Sequence, residues 1–247
     1  MRAEPMAEKY GILGDVHGNL EALNAVLESM EKEGVTRCAC VGDIVGYGAN
    51  PVECVEKIRA LECKTVLGNH DAGAIGKTDI QFFNSAAREA VEWSREVLDG
   101  TATSFLSSLP YVNRTESFTL VHATLGNPED WTYIFNSFEA QSFFRYQEDP
   151  VCFVGHTHIP CCFSSDPMHS FSRATKIHLK PGVKYIVNVG SVGQPRDGNP
   201  LASYVIYDPV EDSIRFVRVP YDVAGAQRKI IDAGLPQVLA MRLEWGK

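Results

Sequence analysis

Eight side chains able to bind a metal stand where short apolar runs break off: Asp15, His17, Asp43, Asn69, His70, His122, His156 and His158. The runs are Ile12-Leu13-Gly14-Asp15-Val16-His17, Cys40-Val41-Gly42-Asp43, Val66-Leu67-Gly68-Asn69-His70, Leu120-Val121-His122 and Phe153-Val154-Gly155-His156-Thr157-His158. Carboxylate, imidazole and carboxamide together form a mixed nitrogen and oxygen donor set. Such a set suits Mn²⁺, Fe²⁺, Zn²⁺, Ni²⁺ or Co²⁺ better than Ca²⁺ or Mg²⁺, which prefer oxygen throughout. Asp15 and His17 lie two residues apart, and in an extended segment such residues share a face, so both are expected to reach one ion. Asp43 brings a carboxylate able to bridge two cations.

Two divalent ions outweigh the carboxylates of Asp15 and Asp43. Even with a bridging hydroxide the site keeps a charge of about +1, which attracts phosphate. Two metals roughly 3.5–4 Å apart activate a hydroxide and clamp the pentavalent transition state of phosphoryl transfer. His70 is surplus to the ligand set and is placed to protonate the leaving oxygen. Asp71 beside it is a candidate to orient the ring, although adjacent residues often point apart. Arg196 is a candidate phosphate fork, with a surface ion pair to Asp197 as its other reading. Trp131 and Tyr133, in a segment that follows His122 and is expected to overhang the cleft, read first as packing residues and second as a platform for a nucleobase or aryl leaving group.

Ligands of open α/β sheets collect outside the carboxyl ends of buried strands, and the five runs have the texture of such strands. The spacing predicts strands over 10–14, 38–42 and 64–67. Between them lie a helix over 20–33, capped by Asn19, and a helix opened by Asn50-Pro51 and running to about 61. A long helix is expected over 79–98 with Phe82, Phe83, Ala86, Ala90, Val91, Trp93 and Val97 on its buried side, then a shorter one over 102–108. Strands near 117–121 and 151–154 flank a helix near 137–146. After Pro160, alternating runs near 161–164, 171–179, 184–189, 203–208 and 213–219 read as antiparallel hairpins and a second sheet. A helix over 222–234 and an irregular tail over 235–247 finish the chain. Because candidate ligands fall on both sides of residue 150, residues 1–247 are read as one domain, with 1–9 an N-terminal extension.

The chain has 247 residues, 45% of them hydrophobic, enough for a sizeable core. A net charge of −8 argues against long nucleic acids as partners, since these need a basic footprint. The seven cysteines include no CxxC pair and read as small hydrophobes of a reduced, cytoplasmic protein. No signal peptide or membrane span is expected. Oligomeric state is not legible.

At this point the motifs carry a resemblance. GDVHGN (14–19), GDIVGYG (42–48), GNHD (68–71), VHAT (121–124) and GHTHIP (155–160) resemble the five signature blocks of the calcineurin-like metallophosphoesterase superfamily. NVGSVGQPRDG (188–198) resembles its compact bacterial and archaeal branch. The resemblance implies a four-layer α/β/β/α sandwich of two mixed sheets, with a dimetal site at the strand C-terminal edge. It implies that Asp15, His17, Asp43 and His158 hold one metal, that Asp43, Asn69, His122 and His156 hold the other, and that His70 is the general acid. The activity implied is hydrolysis of a phosphomonoester or phosphodiester through a dimetal-bridged hydroxide, with Mn²⁺ the leading metal. A Ser/Thr phosphoprotein phosphatase and a nucleotide phosphatase are alternatives on the same site. A non-catalytic scaffold of this fold is disfavoured because every ligand position is filled. His169 and His178, outside the blocks, read as structural.

Overall fold

The computed structural model describes residues 8–247; Pro5 and most of the expected N-terminal extension lie outside the described residues. The opening segment forms β1 (Tyr10–Leu13), α1 (Leu20–Lys32), β2 (Arg37–Cys40), α2 (Pro51–Ala60) and β3 (Lys64–Thr65). These three strands are mutually parallel, as a βαβαβ pattern requires. Asn19 caps α1 by accepting from the Ala22 N–H at 3.1 Å. Asn50 instead turns its amide to Glu53, and Pro51 alone sets the start of α2.

The chain continues through α3 (Asn69–Ala74), α4 (Ser85–Val97), α5 (Gly100–Ser108), β4 (Val112–Arg114), β5 (Thr119–Val121), α6 (Ser137–Phe143) and β6 (Val151–Val154). It then forms β7 (Cys161–Ser164), β8 (Phe171–Ser172), β9 (Lys176–His178), β10 (Tyr185–Asn188), β11 (Ala202–Asp208) and β12 (Ser213–Val219). Two helices, α7 (Val223–Asp232) and α8 (Gln237–Trp245), close it.

Two six-stranded mixed sheets result, in the orders β3-β2-β1-β11-β12-β9 and β4-β5-β6-β10-β7-β8. Ile12, Val41, Phe153, Val187 and Val205 fill the space between them. The residues of opposite parity, such as Leu13, Cys40 and Tyr204, face the helices outside the first sheet. Val121, Cys152 and Ile186 pack with Ala140 of α6 outside the second. Strands apolar on both faces explain why these runs do not alternate in polarity. The architecture is the α/β/β/α sandwich.

Three expectations are corrected. The segment after Pro160 does not form a sheet of its own: β11 pairs antiparallel with β1, and β10 pairs parallel with β6. Each late strand satisfies the open edge of an early one, so the sheets interleave the two halves of the sequence. The long helix over 79–98 begins only at Ser85, because an Asp79 turn to Gln81 and the Asn84 cap on Ala87 interrupt it. Phe82 consequently lies outside the core at 85% exposure, and Val97, the last residue of α4, is exposed as well at 39%. The tail is not irregular, since α8 packs Leu239, Ala240 and Leu243 against α7 residues Ala226 and Ile230 and stops at Gly246 with φ 63°.

Candidate metal centre

The parallel strands β1, β2 and β3 of one sheet and β5 and β6 of the other carry the donor residues past their carboxyl ends. Backbone bonds lock these loops together. Asp15 N–H donates to Gly42 O at 2.9 Å, His17 N–H to Asp43 O at 3.0 Å, and Gly155 N–H to His122 O at 2.9 Å. Asp15, His17, Asp43, His156 and His158 all adopt left-handed backbone, with φ between 49° and 67°. Asp15 and His17 therefore do not share a face by extension. Each is turned toward the centre by a conformation that costs an L-residue about 1–2 kcal/mol. Two glycines make room for the carboxylates: a Cβ on Gly68 would stand 2.1 Å from Asp43 Oδ1, and one on Gly155 2.2 Å from Asp15 Oδ2.

All seven candidate ligands are buried. Asp15, His17, Asp43 and His158 bring donor atoms within 4.8 Å of one another, and so do Asp43, His122 and His156. Asp43 belongs to both groups through one atom, Oδ2, which lies 3.6 Å from His17 Nε2 and 3.3 Å from His122 Nε2. Asn69 joins the second group, its Oδ1 lying 3.1 Å from His122 Nε2. The other carboxylate oxygen of Asp43 accepts the His70 N–H at 2.8 Å.

The imidazoles are arranged for cations. His17 Nδ1 lies 3.0 Å from Val45 O, His122 Nδ1 2.8 Å from Val41 O, and His158 Nδ1 2.6 Å from Gln194 O. A carbonyl accepts only from N–H, so each Nδ1 carries the proton and each neutral ring offers the Nε2 lone pair to the centre. His17 Nε2 and His158 Nε2 then meet at 3.1 Å with no proton between two neutral rings, an arrangement that a shared cation relieves. In the second group His122 Nε2 faces His156 Nδ1 at 3.2 Å, and His156 Nε2 is buried without a partner. The residues fit two divalent transition-metal ions.

Electrostatics without the ions point the same way. Burial, then the neighbouring imidazole of His158, holds His17 well below the ordinary histidine range. Burial and His122 do the same to His156. Burial would also lower His122, but contact with Asp43 reverses it and raises that ring to about 9. Asp43 is correspondingly held well below the carboxylate range, since His122, His70 and His17 overcome its burial.

Of the three candidate catalytic residues, His70 reaches the centre. Its ring packs against Tyr47 and His17, at centroid distances of 4.4 and 4.8 Å. Burial lowers it to about 4, so it is neutral at pH 7. Asp71 does not orient it: the Asp71 carboxylate accepts the N–H groups of Ile44, Val45 and Gly68, which fixes the loop behind Asp43. Arg196 makes no ion pair with Asp197, which pairs with Arg218. Its guanidinium lies over the Tyr47 ring at 5.5 Å and donates to Tyr47 Oη at 3.1 Å and Gln194 Oε1 at 2.9 Å.

Tyr133 stacks on His156 at 4.0 Å and Trp131 meets His122 edge-on at 5.9 Å, so both flank the second group. Tyr47 and Gln194 are the contributors that residue type did not single out. Tyr47 lay within the GDIVGYG block, but its wedge between His17 and His70 depends on a φ of 59° that has no sequence signal.

A family model described as a calcineurin-like phosphoesterase superfamily domain matches residues 9–212. The chain belongs to that superfamily. An uncharacterised protein from Methanocaldococcus jannaschii, MJ0912, is 42% identical over 240 residues, 96% of this chain and 97% of that protein. The crystal structure of a metallophosphoesterase from Sphaerobacter thermophilus superposes with a TM-score of 0.88 at 39% identity, covering 98% of this chain and 100% of that one. The hypothetical protein PH1004 from Pyrococcus horikoshii OT3 shares the fold at a TM-score of 0.80 and 20% identity, over 97% and 98% of the two chains. Among the described residues no helix is long and apolar enough to cross a membrane.

Proposed function

We propose that this phosphoesterase-superfamily chain is a metal-dependent hydrolase of a phosphomonoester or phosphodiester, acting at the Asp43-centred cluster with two divalent ions, of which Mn²⁺ fits the donors. The observation that carries this reading is Asp43 Oδ2, common to two donor groups within 3.3 and 3.6 Å of an imidazole from each. Such a pair of ions, when bound, supplies a water of lowered pKa and stabilises charge on the phosphoryl oxygens. Asp15, His17, Asp43 and His158 would hold one ion, and Asp43, Asn69, His122 and His156 the other.

The chain's own residues do the rest. Arg196 has no carboxylate partner among the described residues, so its charge is available to a phosphate oxygen beside His17 and His158. Tyr47 holds the guanidinium in place from one side. His70 carries the proton for the leaving oxygen. Its Nδ1 is buried against Gly46, where a Cβ would stand at 2.4 Å, which leaves Nε2 to meet the cleft. An incoming phosphate anion raises the pKa of an adjacent imidazole, the direction this role requires. The free cysteines suit a reducing compartment, and we place the enzyme in the cytoplasm.

The test is turnover of a chromogenic aryl phosphate and its bis-aryl diester. Activity is expected to vanish with a chelator, return with Mn²⁺, and be lost together with metal content in Asp43→Ala. An Asp43→Ala protein that turned over at the wild-type rate would overturn the reading.

A further inference from the structure

Beside the second donor group opens a cleft of about 350 Å³ whose inner wall includes Asn69, His70 and His156. Its outer walls come from two separate segments, Phe82, Phe83 and Asn84 ahead of α4 and Trp131 with Tyr133 beyond β5. Among the described residues that line it there is no lysine, arginine, aspartate or glutamate. The charged end of the site lies instead at Arg196, which contacts the Tyr47 ring.

Phe83 and Trp131 pack partly on the core, but the rest of this aromatic surface does not. Phe82 is 85% exposed and Tyr133 43% exposed, and Phe135, stacked on Tyr133 at 5.1 Å and 11°, is 56% exposed. Aromatic side chains left open beside a polar reaction centre recover their burial when a ligand covers them. Beyond the donor group the outer walls offer no cation to a second phosphate, whose anionic oxygens need cations or aligned N–H groups. Flat aromatic walls accept a flat aromatic ring. Asn84 spends its Oδ1 on the cap of α4 and keeps its amide hydrogens for another acceptor.

We propose that this cleft is the leaving-group subsite, and that it takes a phosphoester whose esterifying group carries an uncharged aromatic ring, held between Phe82 and the Trp131–Tyr133 wall. The proposal rests on the hydrolase reading above and adds its substrate class. Nucleobases and simple aryl groups share this chemistry, and matched substrates separate them.

The experiment compares kcat/KM of the Mn²⁺-loaded protein for adenosine 5′-monophosphate against ribose 5-phosphate, and for 2-phenylethyl phosphate against ethyl phosphate. The methyl diesters of the same four compounds are run alongside. Within each pair the leaving oxygen is an alkoxide of similar basicity, so the ring is the variable. The wild-type protein is expected to favour the ring-bearing partner by about 10-fold, the scale of one stacked ring. A preference confined to the adenosine pair assigns the subsite to nucleobases, and one in both pairs to aromatic rings generally. Phe82→Ala, on a side chain too exposed to affect folding, is expected to bring the ratio toward one, and Phe82→Trp to restore it.

Equal kcat/KM within both pairs, or a Phe82→Ala ratio unchanged from wild type, would overturn the proposal while leaving the hydrolase intact. No turnover of any of these compounds or of the chromogenic aryl esters would overturn the hydrolase reading instead. The cleft is then judged by calorimetry, where adenosine binding that exceeds ribose binding and is lost in Phe82→Ala upholds it, and equal binding removes it.

Discussion

At Gly155 a single hydrogen faces Asp15, and there is no space for more. A methyl group would meet Asp15 Oδ2 at 2.2 Å, with Val41 behind it at 3.1 Å. Gly155→Ala is therefore expected to lose about 1–3 kcal/mol in denaturant unfolding and to bind Mn²⁺ more weakly in an equilibrium titration, through displacement of Asp15. His70 gives a second expectation. Its folded pKa of about 4 lies below the ordinary 6.5, so its contribution is complete above pH 6.5 and is lost as pH falls toward 4. The loss reaches about 3 kcal/mol at most. Asp71, which burial and Asp43 push up to about 7, acts in the opposite sense, so the measurement is a difference. The metal-free His70→Gln protein is expected to lose less stability than wild type between pH 6.5 and 4.5, and parallel stability curves would count against a buried neutral ring.

The helix α8 shows where an element escapes its sequence. Its apolar residues Val238, Leu239, Met241, Leu243 and Trp245 run nearly all round, so no single face announces burial, and only Leu239, Ala240 and Leu243 are covered. Leu239→Ala is expected to cost about 2–5 kcal/mol by chemical denaturation, because the side chain is fully buried against α7. The first three strands and their two helices were legible because apolar period, caps and turn glycines agree there. The stretch over 171–179 was not, since β8 and β9 lie on different sheets and no local pattern records a switch of sheet. Phe82 was misplaced for a related reason: helical spacing continues through it, while the Asn84 cap resets the helix behind it. The site residues stood out by type and motif. Their left-handed backbone did not, because φ at Asp15 or His158 is imposed by loops that the rest of the fold holds.

Metal uptake belongs to the whole molecule, since each donor group draws on both sheets. His122, held at about 9 by Asp43, is protonated at pH 7 in the metal-free protein and must lose the Nε2 proton to offer that nitrogen to an ion while Nδ1–H stays on Val41 O. Loading at pH 7 is thus expected to release about one proton, seen as a buffer-dependent heat in calorimetry, and to release none above about pH 10. Affinity falls as pH drops below 9, and saturating Mn²⁺ is expected to raise the melting temperature by mass action. The topology has a further consequence in the life of the chain. β1 sits between β2 and β11, with Ile12 opposite Val205, so among the described residues the first strand waits for nearly the last. At ordinary translation speeds of about 5–20 residues per second, that wait lasts on the order of ten to forty seconds on the ribosome. Throughout it one side of β1 offers unpaired N–H and C=O groups to any passing strand. A nascent chain halted before residue 202 is therefore expected to need a chaperone, so that the cell's hold on this protein begins well before it meets a metal.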